Sequence, residues 1–348
     1  MPNFNGGGAE KVNIILANHF SKTGHSVTMV VLEDIGENVG LLDSQVDLVV
    51  LGYTSGRFKW TYFFQSLFKL TKLFKKKRGM LISGVFFNNL QCGILKRVSN
   101  LKIMVVEHTI RSKNDDKKFI LKRLMRPLTK YYLEAADNVV CVSNAIKLDL
   151  MRSYDNLNAI LTVIHNPCFV EVEDKTISRT DRFHFGFVGR LVEIKNIFFI
   201  IDAFKEALLE ESPSYLYIYG EGPLRQQLAS YIAEQGLENR IYLVGYHKSL
   251  RNIYSNIDCL LLASDYEGFG NVIVEALSFG VPTLSTDDSG GPSELIVHGV
   301  TGLIVPRSDY SKGMLRAIKT NFDRSTLVDS ARSFDTSSVA MEYLKLID

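Results

Sequence analysis

The feature that most constrains the fold is an alternation of short β-rich runs with amphipathic helical runs. From Phe183 onward the β-rich runs contain mainly aromatic and aliphatic residues, and the stretches between them have helical periodicity. Such a βα alternation implies a parallel sheet covered by helices on both faces. The predicted strands of this half are FHFGFV at 183, YLYIY at 215, RIYLV at 240, CLLLA at 259, PTLS at 282 and GLIVP at 302.

The amino-terminal half has the same alternation, and 348 residues exceed what one hydrophobic core usually holds. We therefore predict two Rossmann-like domains, at 1–168 and 183–330. The polar, acidic segment EVEDKTISRTD suits a linker, assigned to 169–182. A final helix, 331–348, is expected to pack back toward the first domain. The predicted strands of the first domain are Ser26–Leu32, Leu48–Leu51, Met80–Ser83, Ile103–Val106 and Asn138–Val142.

The start of the chain departs from this pattern. A glycine-rich turn that opens a helix normally follows a strand, yet GGGAEKV begins at Gly6 with five residues before it. We therefore expect the first domain to lack its first strand. Either that strand is absent, or the natural start lies upstream of the recorded one.

Charge is distributed unevenly along the chain. Residues 1–170 contain 23 Lys and Arg against 13 Asp and Glu, whereas the remainder contains 17 against 25. The run Arg57–Arg78 holds eight basic residues and an apolar stripe at helical spacing, formed by Trp60, Phe63, Leu67, Leu70 and Phe74. The stripe alone predicts a helix packed on a sheet with its lysines in water.

A further interpretation of this helix is that its surplus cations contact an anionic membrane or a polyanionic acceptor. A second basic helix, predicted at Asp116–Glu134, favours that interpretation. We expect no nucleic-acid partner, because no recognised nucleic-acid motif accompanies the charge. No apolar stretch is long enough for a membrane span, and MPNFNGGGAEK has no signal-peptide core. The expected location is therefore the cytoplasm, at the inner face of the plasma membrane.

The four cysteines have neither disulfide nor metal-ligand spacing, and their apolar contexts predict buried thiols.

No Asp-x-Asp motif follows a predicted strand. A protein can stabilise a diphosphate group either with a divalent metal or with fixed cations and backbone amides. The turn after the strand at 183 offers Arg190 and Lys195 for the second arrangement, although solvated surface charge is the simpler interpretation of these two residues alone. We expect no metal and no cofactor.

Two further turns have the residues expected of an anion or nucleotide site. In Gly220-Glu221-Gly222-Pro223 the glycines allow close approach of a base or phosphate, although an ordinary turn uses similar residues. In the segment SDYEGFGNVIVEA, glycines turn the backbone so that amides at the head of the next helix converge on an anion. Glu267 ends this loop and Glu275 lies inside the helix among apolar residues, where a buried carboxylate needs a partner.

Taken together, the segments GRLVEIKN, GEGP, EGFGNVIVE and GGPSELIVHGVTGLIVP resemble the carboxyl-terminal half of glycosyltransferase family 4, whose mark is two glutamates separated by seven residues. The segments GGGAEKV, VVEHT, VVCVSNAIK and VIHNP extend the resemblance thinly over the other half. It implies an α/β protein of the GT-B type, with two Rossmann-like doubly wound parallel-sheet domains facing a cleft. It also implies retention of anomeric configuration.

By this resemblance, Arg190 and Lys195 would bind the donor diphosphate and stabilise the leaving group. Glu267 would hold the donor sugar and Glu275 the ribose hydroxyls. His108 matches a position near the reacting sugar, although a lone histidine after an apolar strand is as often structural. The other predicted donor-site residues are Gly7, Gly8, Gly189, Gly220, Glu221, Gly222, Gly245, Tyr246, Gly268, Phe269, Gly270, Asn271 and Val272.

The predicted function is transfer of a hexosyl or N-acetylhexosaminyl group from a nucleotide sugar, with UDP favoured over GDP. The predicted acceptor is a glycan, lipid-linked for example through undecaprenyl diphosphate, in O-antigen, capsule or lipopolysaccharide synthesis. Two alternatives stay open. One is an enzyme like a UDP-sugar 2-epimerase, which shares twin Rossmann halves, and the other is a non-catalytic nucleotide-sugar-binding module.

Overall fold

The structure, a computed structural model, describes residues 1–5, 7–52, 59–112, 119–172, 182–208 and 214–347. The chain forms two compact units. Unit 1 comprises Met1–Pro167 together with Thr336–Asp348, and unit 2 comprises Cys168–Asp335. Among the described residues, no helix is long and apolar enough to span a membrane.

Unit 1 contains two parallel sheets with helices between successive strands. Strands β1 and β2 form one sheet, and β3–β4–β5–β6 form the other in that order. The strands are β1 (Thr28–Val31), β2 (Asp47–Val50), β3 (Arg78–Ser83), β4 (Asn100–Glu107), β5 (Asn138–Cys141) and β6 (Leu161–Val163). The helices are α1 (Gly8–Lys22), α2 (Lys59–Phe74), α3 (Phe86–Leu95), α4 (Phe119–Ala135), α5 (Asn144–Ser153) and, after unit 2, α12 (Thr336–Lys345).

Among the described residues, the first regular element of unit 1 is a helix. Residues 1–5 contain no strand, and helix α1 begins at Gly8. The helix forms because Val12, Leu16 and Phe20 recur on one buried face. Strand β6 was not predicted, because three residues are too short to show a periodicity and it exists only through its ladder with β5.

The two basic helices are present with altered bounds. Helix α2 ends at Phe74, not at Arg78, because Arg78 already begins β3. Of the predicted apolar stripe, Phe63 is buried, and Leu67, Leu70 and Phe74 are half-buried. The Trp60 side chain lies outside the described part. The first residues of the second predicted helix, 116–118, are also outside it, and α4 is described from Phe119.

Unit 2 is a six-stranded parallel sheet with the order β12–β11–β10–β7–β8–β9. Its core combines aliphatic and aromatic side chains of β7 and β8 with those of the helix that follows β7. The strands are β7 (Phe183–Val188), β8 (Ser214–Tyr219), β9 (Ile241–Gly245), β10 (Cys259–Leu262), β11 (Thr283–Thr286) and β12 (Gly302–Val305). The helices are α6 (Ile197–Leu208), α7 (Arg225–Glu234), α8 (Leu250–Tyr254), α9 (Asn271–Ser278), α10 (Tyr310–Lys319) and α11 (Arg324–Ala331).

The unit boundaries differ slightly from those drawn on the sequence. Helix α12 belongs to unit 1, where it packs on α1. Residues 331–335 stay in unit 2, because the Phe334 carbonyl accepts a hydrogen bond from the Phe169 amide at 3.1 Å and the Phe334 ring lies against Phe269. Residues 169–172 of the proposed linker also belong to unit 2, and 173–181 are outside the described residues.

Candidate functional site

The predicted donor-site residues of unit 2 follow the carboxyl ends of its strands. Strand β7 lies at the centre, with β10 on one side and β8 on the other. The chain therefore leaves β7 toward one half of the sheet and returns to fill the other half. Ligands of doubly wound sheets bind at such a switch point, beyond the carboxyl ends of the strands.

The turns after β7 and β8 pack directly on each other. The Leu191 amide donates to the Glu221 carbonyl at 2.9 Å, and a Cβ at Gly220 would lie 1.9 Å from the Gly189 carbonyl oxygen. A Cβ at Gly222 would lie 2.4 Å from the Leu191 carbonyl oxygen. These glycines are thus required for contact between two backbone turns, a role that the sequence interpretation did not include.

The turns after β8 and β9 are joined in the same way. The Gly220 amide donates to the Gly245 carbonyl at 2.8 Å, and Gly245 has a positive φ of 87°. Glu221 is exposed and accepts a hydrogen bond from Arg225 at 3.1 Å. Tyr246 keeps 47% of its surface exposed. An exposed aromatic ring beside a glycine turn is suited to stacking on a planar base.

Lys195 and Glu267 are brought into direct contact, although 72 residues separate them. The Lys195 ammonium donates to Oε1 of Glu267, which also accepts a hydrogen bond from the buried Ser264 hydroxyl at 2.7 Å. The two charged side chains keep 21% and 14% of their surface. Arg190 is exposed. The structure therefore places one predicted cation and one predicted sugar-binding carboxylate in a single cluster.

Asn196 positions this cluster and was not identified from the sequence. It has a left-handed φ of 50°, which asparagine tolerates better than most residues. Its side-chain amide donates to the Ala263 carbonyl at 3.0 Å and so ties the turn after β7 to the end of β10. The Asp265 amide, which donates to the Ile194 carbonyl at 3.0 Å, ties the same two segments together beside the Lys195–Glu267 contact.

Backbone hydrogen bonds hold Glu267, at the start of the loop from Glu267 to Gly270, against residues 289–291. The Glu267 amide donates to the Ser289 carbonyl at 2.7 Å, and the Glu267 carbonyl accepts from the Gly291 amide at 3.1 Å. Phe269 is 3% exposed. Gly270, with φ 102°, is the N-cap residue that directly precedes α9. Asn271 and Val272 form the first turn of that helix, whose amides carry partial positive charge.

Glu275 is buried inside α9 at 8% exposure. Its Oε2 accepts a hydrogen bond at 3.1 Å from the hydroxyl of Tyr254, which also donates to the Val272 carbonyl at 3.2 Å. Burial, and then the adjacent Glu275 carboxylate, raise the pKa of Tyr254 well above its ordinary value, so the phenol stays protonated. Tyr254 is the partner that the sequence required for Glu275 but did not name.

In unit 1, the predicted residues Gly7 and Gly8 lie at the start of α1. Gly7 precedes the helix in an extended conformation, and its amide donates to the Asn5 carbonyl at 2.8 Å. A Cβ at Gly7 would lie 2.0 Å from the Glu10 carboxylate, a flexible group that can move. Their approach to a phosphate stays a prediction.

His108 follows β4 and its Nε2 atom is buried without a hydrogen-bond partner among the described residues. Burial lowers the pKa of this imidazole to about 4, although Glu107 opposes the shift. The side chain is therefore neutral at pH 7. A Cβ at Gly84 would lie 2.9 Å from Nε2, so the glycine leaves room for the ring.

Glu107 anchors the segment that carries His108. Its buried carboxylate accepts hydrogen bonds from Asn89 at 3.1 Å, from Tyr132 at 2.7 Å and from Arg111 Nε at 2.8 Å. No sequence signal identified this cluster, because its members are distributed over strand β4, the loop after it, and helices α3 and α4.

Two family models match successive parts of the chain. The model described as "Glycosyltransferase Family 4" matches residues 6–171, and the one described as "Glycosyl transferases group 1" matches residues 171–334. A Staphylococcus aureus poly(ribitol-phosphate) alpha-N-acetylglucosaminyltransferase is 24% identical over 230 residues, which cover 63% of this chain and 46% of the relative.

A second relative is an N-acetylgalactosamine-N,N'-diacetylbacillosaminyl-diphospho-undecaprenol 4-alpha-N-acetylgalactosaminyltransferase of Campylobacter jejuni. It is 29% identical over 226 residues, which cover 61% of this chain and 60% of the relative. In three curated relatives, including the S. aureus enzyme, the matched segments span only 29% to 46% of the relative's own length.

The fold has close counterparts among solved structures. Anabaena Alr3699/HepE in complex with UDP and glucose superposes with a TM-score of 0.80 at 19% identity, covering 99% of this chain and 97% of that one. At this identity the likeness concerns the fold alone, which is the α/β parallel-sheet architecture of the GT-B class. The two family models together match residues 6–334, so the chain belongs to the glycosyltransferases that these two models describe.

Proposed function

We propose that this protein transfers a hexosyl or N-acetylhexosaminyl group from a nucleotide sugar, UDP-linked rather than GDP-linked, to a glycan acceptor of a bacterial surface polysaccharide. One observation carries the proposal. Lys195, Glu267, the first turn of α9 and the buried Glu275 all follow the carboxyl ends of adjacent strands in unit 2. A cation and backbone amides can bind the diphosphate of a nucleotide sugar, and carboxylates can accept hydrogen bonds from its ribose and from the transferred sugar.

Each group has a distinct chemical role. The departing diphosphate develops negative charge, which the Lys195 ammonium, Arg190 and the α9 amides stabilise. Glu275 accepts hydrogen bonds from the ribose hydroxyls, and the Tyr254 hydroxyl holds its carboxylate in place. Glu267 accepts from the donor sugar. On sugar binding, a hydroxyl can replace one of the two donors, Lys195 and Ser264, that Glu267 holds in this structure.

The same arrangement supports a metal-independent reaction with retention of configuration. The acceptor hydroxyl attacks on the face that the phosphate leaves, and the leaving phosphate takes its proton. In unit 1, the neutral imidazole of His108 is suited to a hydrogen bond with a sugar hydroxyl, because it carries no charge that would need a counter-ion. Activity that survives EDTA and returns an α-linked product from an α-linked donor would support both statements. Loss of activity with EDTA, restored by Mg²⁺, would contradict the first.

A lipid-linked acceptor is supported by the C. jejuni relative, whose name includes a diphospho-undecaprenol substrate. In this chain, unit 1 offers a surface of fitting chemistry on α2. Phe64 and Phe68 are 63% and 74% exposed on one face of that helix, four residues apart. Lys72 and Lys75–Lys77 are exposed next to them. Exposed aromatic rings flanked by lysines are typical of helices that bind the surface of an anionic membrane.

A thermal-shift screen with UDP, GDP and their sugars tests the donor assignment. We expect UDP and a UDP-sugar to raise the unfolding temperature, because a ligand that binds only the folded state stabilises it. No shift with any nucleotide would contradict the donor site. Conversion of a UDP-sugar to its 2-epimer without an acceptor would favour the epimerase alternative, and binding without any turnover would favour the non-catalytic one.

Two substitutions test the catalytic roles. Glu275→Ala and Lys195→Ala are each expected to lower kcat/KM at least about a hundredfold, the scale observed when one transition-state contact is removed. The exposed residues Glu238 and Lys319 provide the matched controls Glu238→Ala and Lys319→Ala. Activity of the site variants within a few-fold of the controls would remove these roles.

Vesicle sedimentation tests the membrane surface. Reversing Lys75–Lys77 to glutamate, or changing Phe64 and Phe68 to serine, is expected to lower binding to vesicles that contain phosphatidylglycerol. Reversing three exposed cations of unit 2, Lys248, Arg316 and Lys319, should leave the binding unchanged. Equal binding by all variants would return α2 to the simpler interpretation of a solvated face.

A further inference from the structure

Lys195 and Arg190, the two cations assigned to the donor diphosphate, lie in different surroundings. Arg190 is exposed to solvent. The Lys195 side chain keeps only 21% of its surface, and its ammonium already donates to Oε1 of Glu267, whose side chain keeps 14%. A phosphate that binds Lys195 therefore competes with a carboxylate of this chain for the same ammonium.

The ammonium cannot serve both anions without a cost. It has three donors and could reach both groups at once. The carboxylate and the phosphate would then lie within about 6 Å of each other in a partly buried site, where like charges repel more strongly than in water. Binding of a phosphate therefore weakens or breaks the ion pair between Lys195 and Glu267.

One oxygen of the Glu267 carboxylate is occupied and the other is open. Oε1 accepts from Lys195 and, at 2.7 Å, from the buried Ser264 hydroxyl, whereas no residue in the described part of the chain donates to Oε2. If Lys195 turns to a phosphate, Ser264 stays as the one described donor to a carboxylate that keeps its charge. A partly buried carboxylate with a single neutral donor is unfavourable, and the hydroxyls of a sugar can supply the missing hydrogen bonds.

The backbone on both sides of the ion pair is fixed. The Glu267 amide donates to the Ser289 carbonyl at 2.7 Å. Asn196, directly after Lys195, donates from its side chain to the Ala263 carbonyl at 3.0 Å. The two charged groups can therefore separate only by rotation of their side chains, and the carboxylate stays in the site when the ammonium turns to a phosphate.

We propose that Glu267 makes the site discriminate a nucleotide sugar from the nucleoside diphosphate that the reaction releases. This role rests on the proposed function, and it adds to the sugar contact assigned to Glu267 there. A free nucleoside diphosphate draws Lys195 from Glu267 and supplies no donor in return. A nucleotide sugar brings hydroxyls that satisfy the carboxylate. The ion pair therefore weakens binding of the product more than binding of the donor, and it favours release of the product.

Calorimetry with UDP alone tests this role, because UDP contains the diphosphate and lacks the transferred sugar. Glu267→Gln keeps the volume and an acceptor oxygen for Ser264, but it leaves Lys195 without a charged partner. We expect this substitution to lower the Kd for UDP at least about threefold, although it removes a charged group of the site. An unchanged or higher Kd, beside measurable binding by the wild-type chain, would overturn the proposal and leave the donor assignment intact. Absence of UDP binding to the wild-type chain would contradict both.

The same substitution in a Lys195→Met background separates competition for the ammonium from simple repulsion between carboxylate and diphosphate. Competition predicts that Glu267→Gln changes the Kd for UDP less than about twofold in that background, since no ammonium is left to compete for. Repulsion does not require the ammonium, so an equal or larger gain in the Lys195→Met background would refute the proposal. Nuclear magnetic resonance titration measures the Kd values of variants that bind too weakly for calorimetry.

Ser264→Ala gives a test of opposite sign. It removes the donor that Glu267 keeps once Lys195 binds the diphosphate, so we expect the Kd for UDP to rise at least about twofold. In the Glu267→Gln background the same change should leave the Kd unchanged, because an amide carries no charge that needs the hydroxyl. Thermal unfolding of each variant confirms that it is folded. A Ser264→Ala chain that is folded and binds UDP as tightly as the wild type would count against the proposal.

Discussion

The buried cluster around Glu107 allows a quantitative test of how the segment before His108 is held. The Glu107 side chain is 2% exposed, and the Arg111 side chain that it pairs with is 22% exposed. Although burial disfavours the charged guanidinium, the Glu107 carboxylate raises the pKa of Arg111 above its ordinary value. Substitution Glu107→Gln removes the negative charge while it keeps nearly the same volume and one acceptor oxygen.

The expected loss follows from the exposure of the pair. Removing one partner of a fully buried ion pair costs about 3–5 kcal/mol, because the other charge is left uncompensated. Arg111 keeps about a fifth of its surface in water, so we expect about 2–3 kcal/mol for Glu107→Gln. At about 2–4 °C per kcal/mol for a unit of this size, the unfolding temperature should fall by about 4–12 °C.

The assay is urea unfolding at pH 7, followed by circular dichroism, with Glu134→Gln as the control. The exposed pair Lys130–Glu134 is 3.7 Å apart, and its loss should cost at most about 0.5 kcal/mol. The double variant Glu107→Gln/Arg111→Met should be more stable than the sum of the single changes implies, since no uncompensated charge remains. A Glu107→Gln loss within 0.5 kcal/mol of the control would refute this reasoning.

Three further outcomes are expected. Because the pKa of His108 is lowered to about 4, the unfolded chain binds the proton more tightly, and the free energy of unfolding falls by about 2.6 kcal/mol between pH 6.5 and pH 4. That part of the pH dependence should be absent in His108→Gln when urea titrations are compared across this range. Gly220→Ala should destabilise unit 2 by about 3 kcal/mol or more in thermal unfolding, because φ at this position is 135° and the new Cβ would lie 1.9 Å from a carbonyl oxygen. Gly40→Ala, at a position with open space around it, should be nearly neutral in the same measurement. Tyr254→Phe, which removes the hydrogen bond to Glu275, should raise the Kd for UDP by about five- to tenfold in calorimetry, and an unchanged Kd would separate Tyr254 from the nucleotide site.

Much of the fold could be predicted because its signals are local. Of the twelve strands in the described part of the chain, eleven contain enough aliphatic and aromatic residues in a row to be recognised. The missed strand, β6, has three residues and is defined by its pairing with β5. The end of α2 was also misplaced, because the side chains of Lys75–Lys77 are compatible with a helix although the helix ends at Phe74.

The candidate site could be predicted only in part. Glu267 and Glu275 were found from their spacing within one segment. Their partners Lys195 and Tyr254 lie 72 and 21 residues away, and Tyr254 had no signal because a tyrosine in a short amphipathic helix is ordinary. Gly220 and Gly222 were assigned to a ligand, but the structure gives them a direct role in packing one turn on another.

The sequence by itself determined which segments become strands and helices and which turns carry charge, because backbone propensity and hydrophobic periodicity act over a few residues. Only the tertiary structure decided which buried polar groups satisfy one another. Glu275 needed a donor and found it in Tyr254, and Glu107 found Asn89, Tyr132 and Arg111. Those pairings depend on how the elements pack, since burial removes water as the alternative partner and leaves the choice to whichever side chain the fold brings within reach.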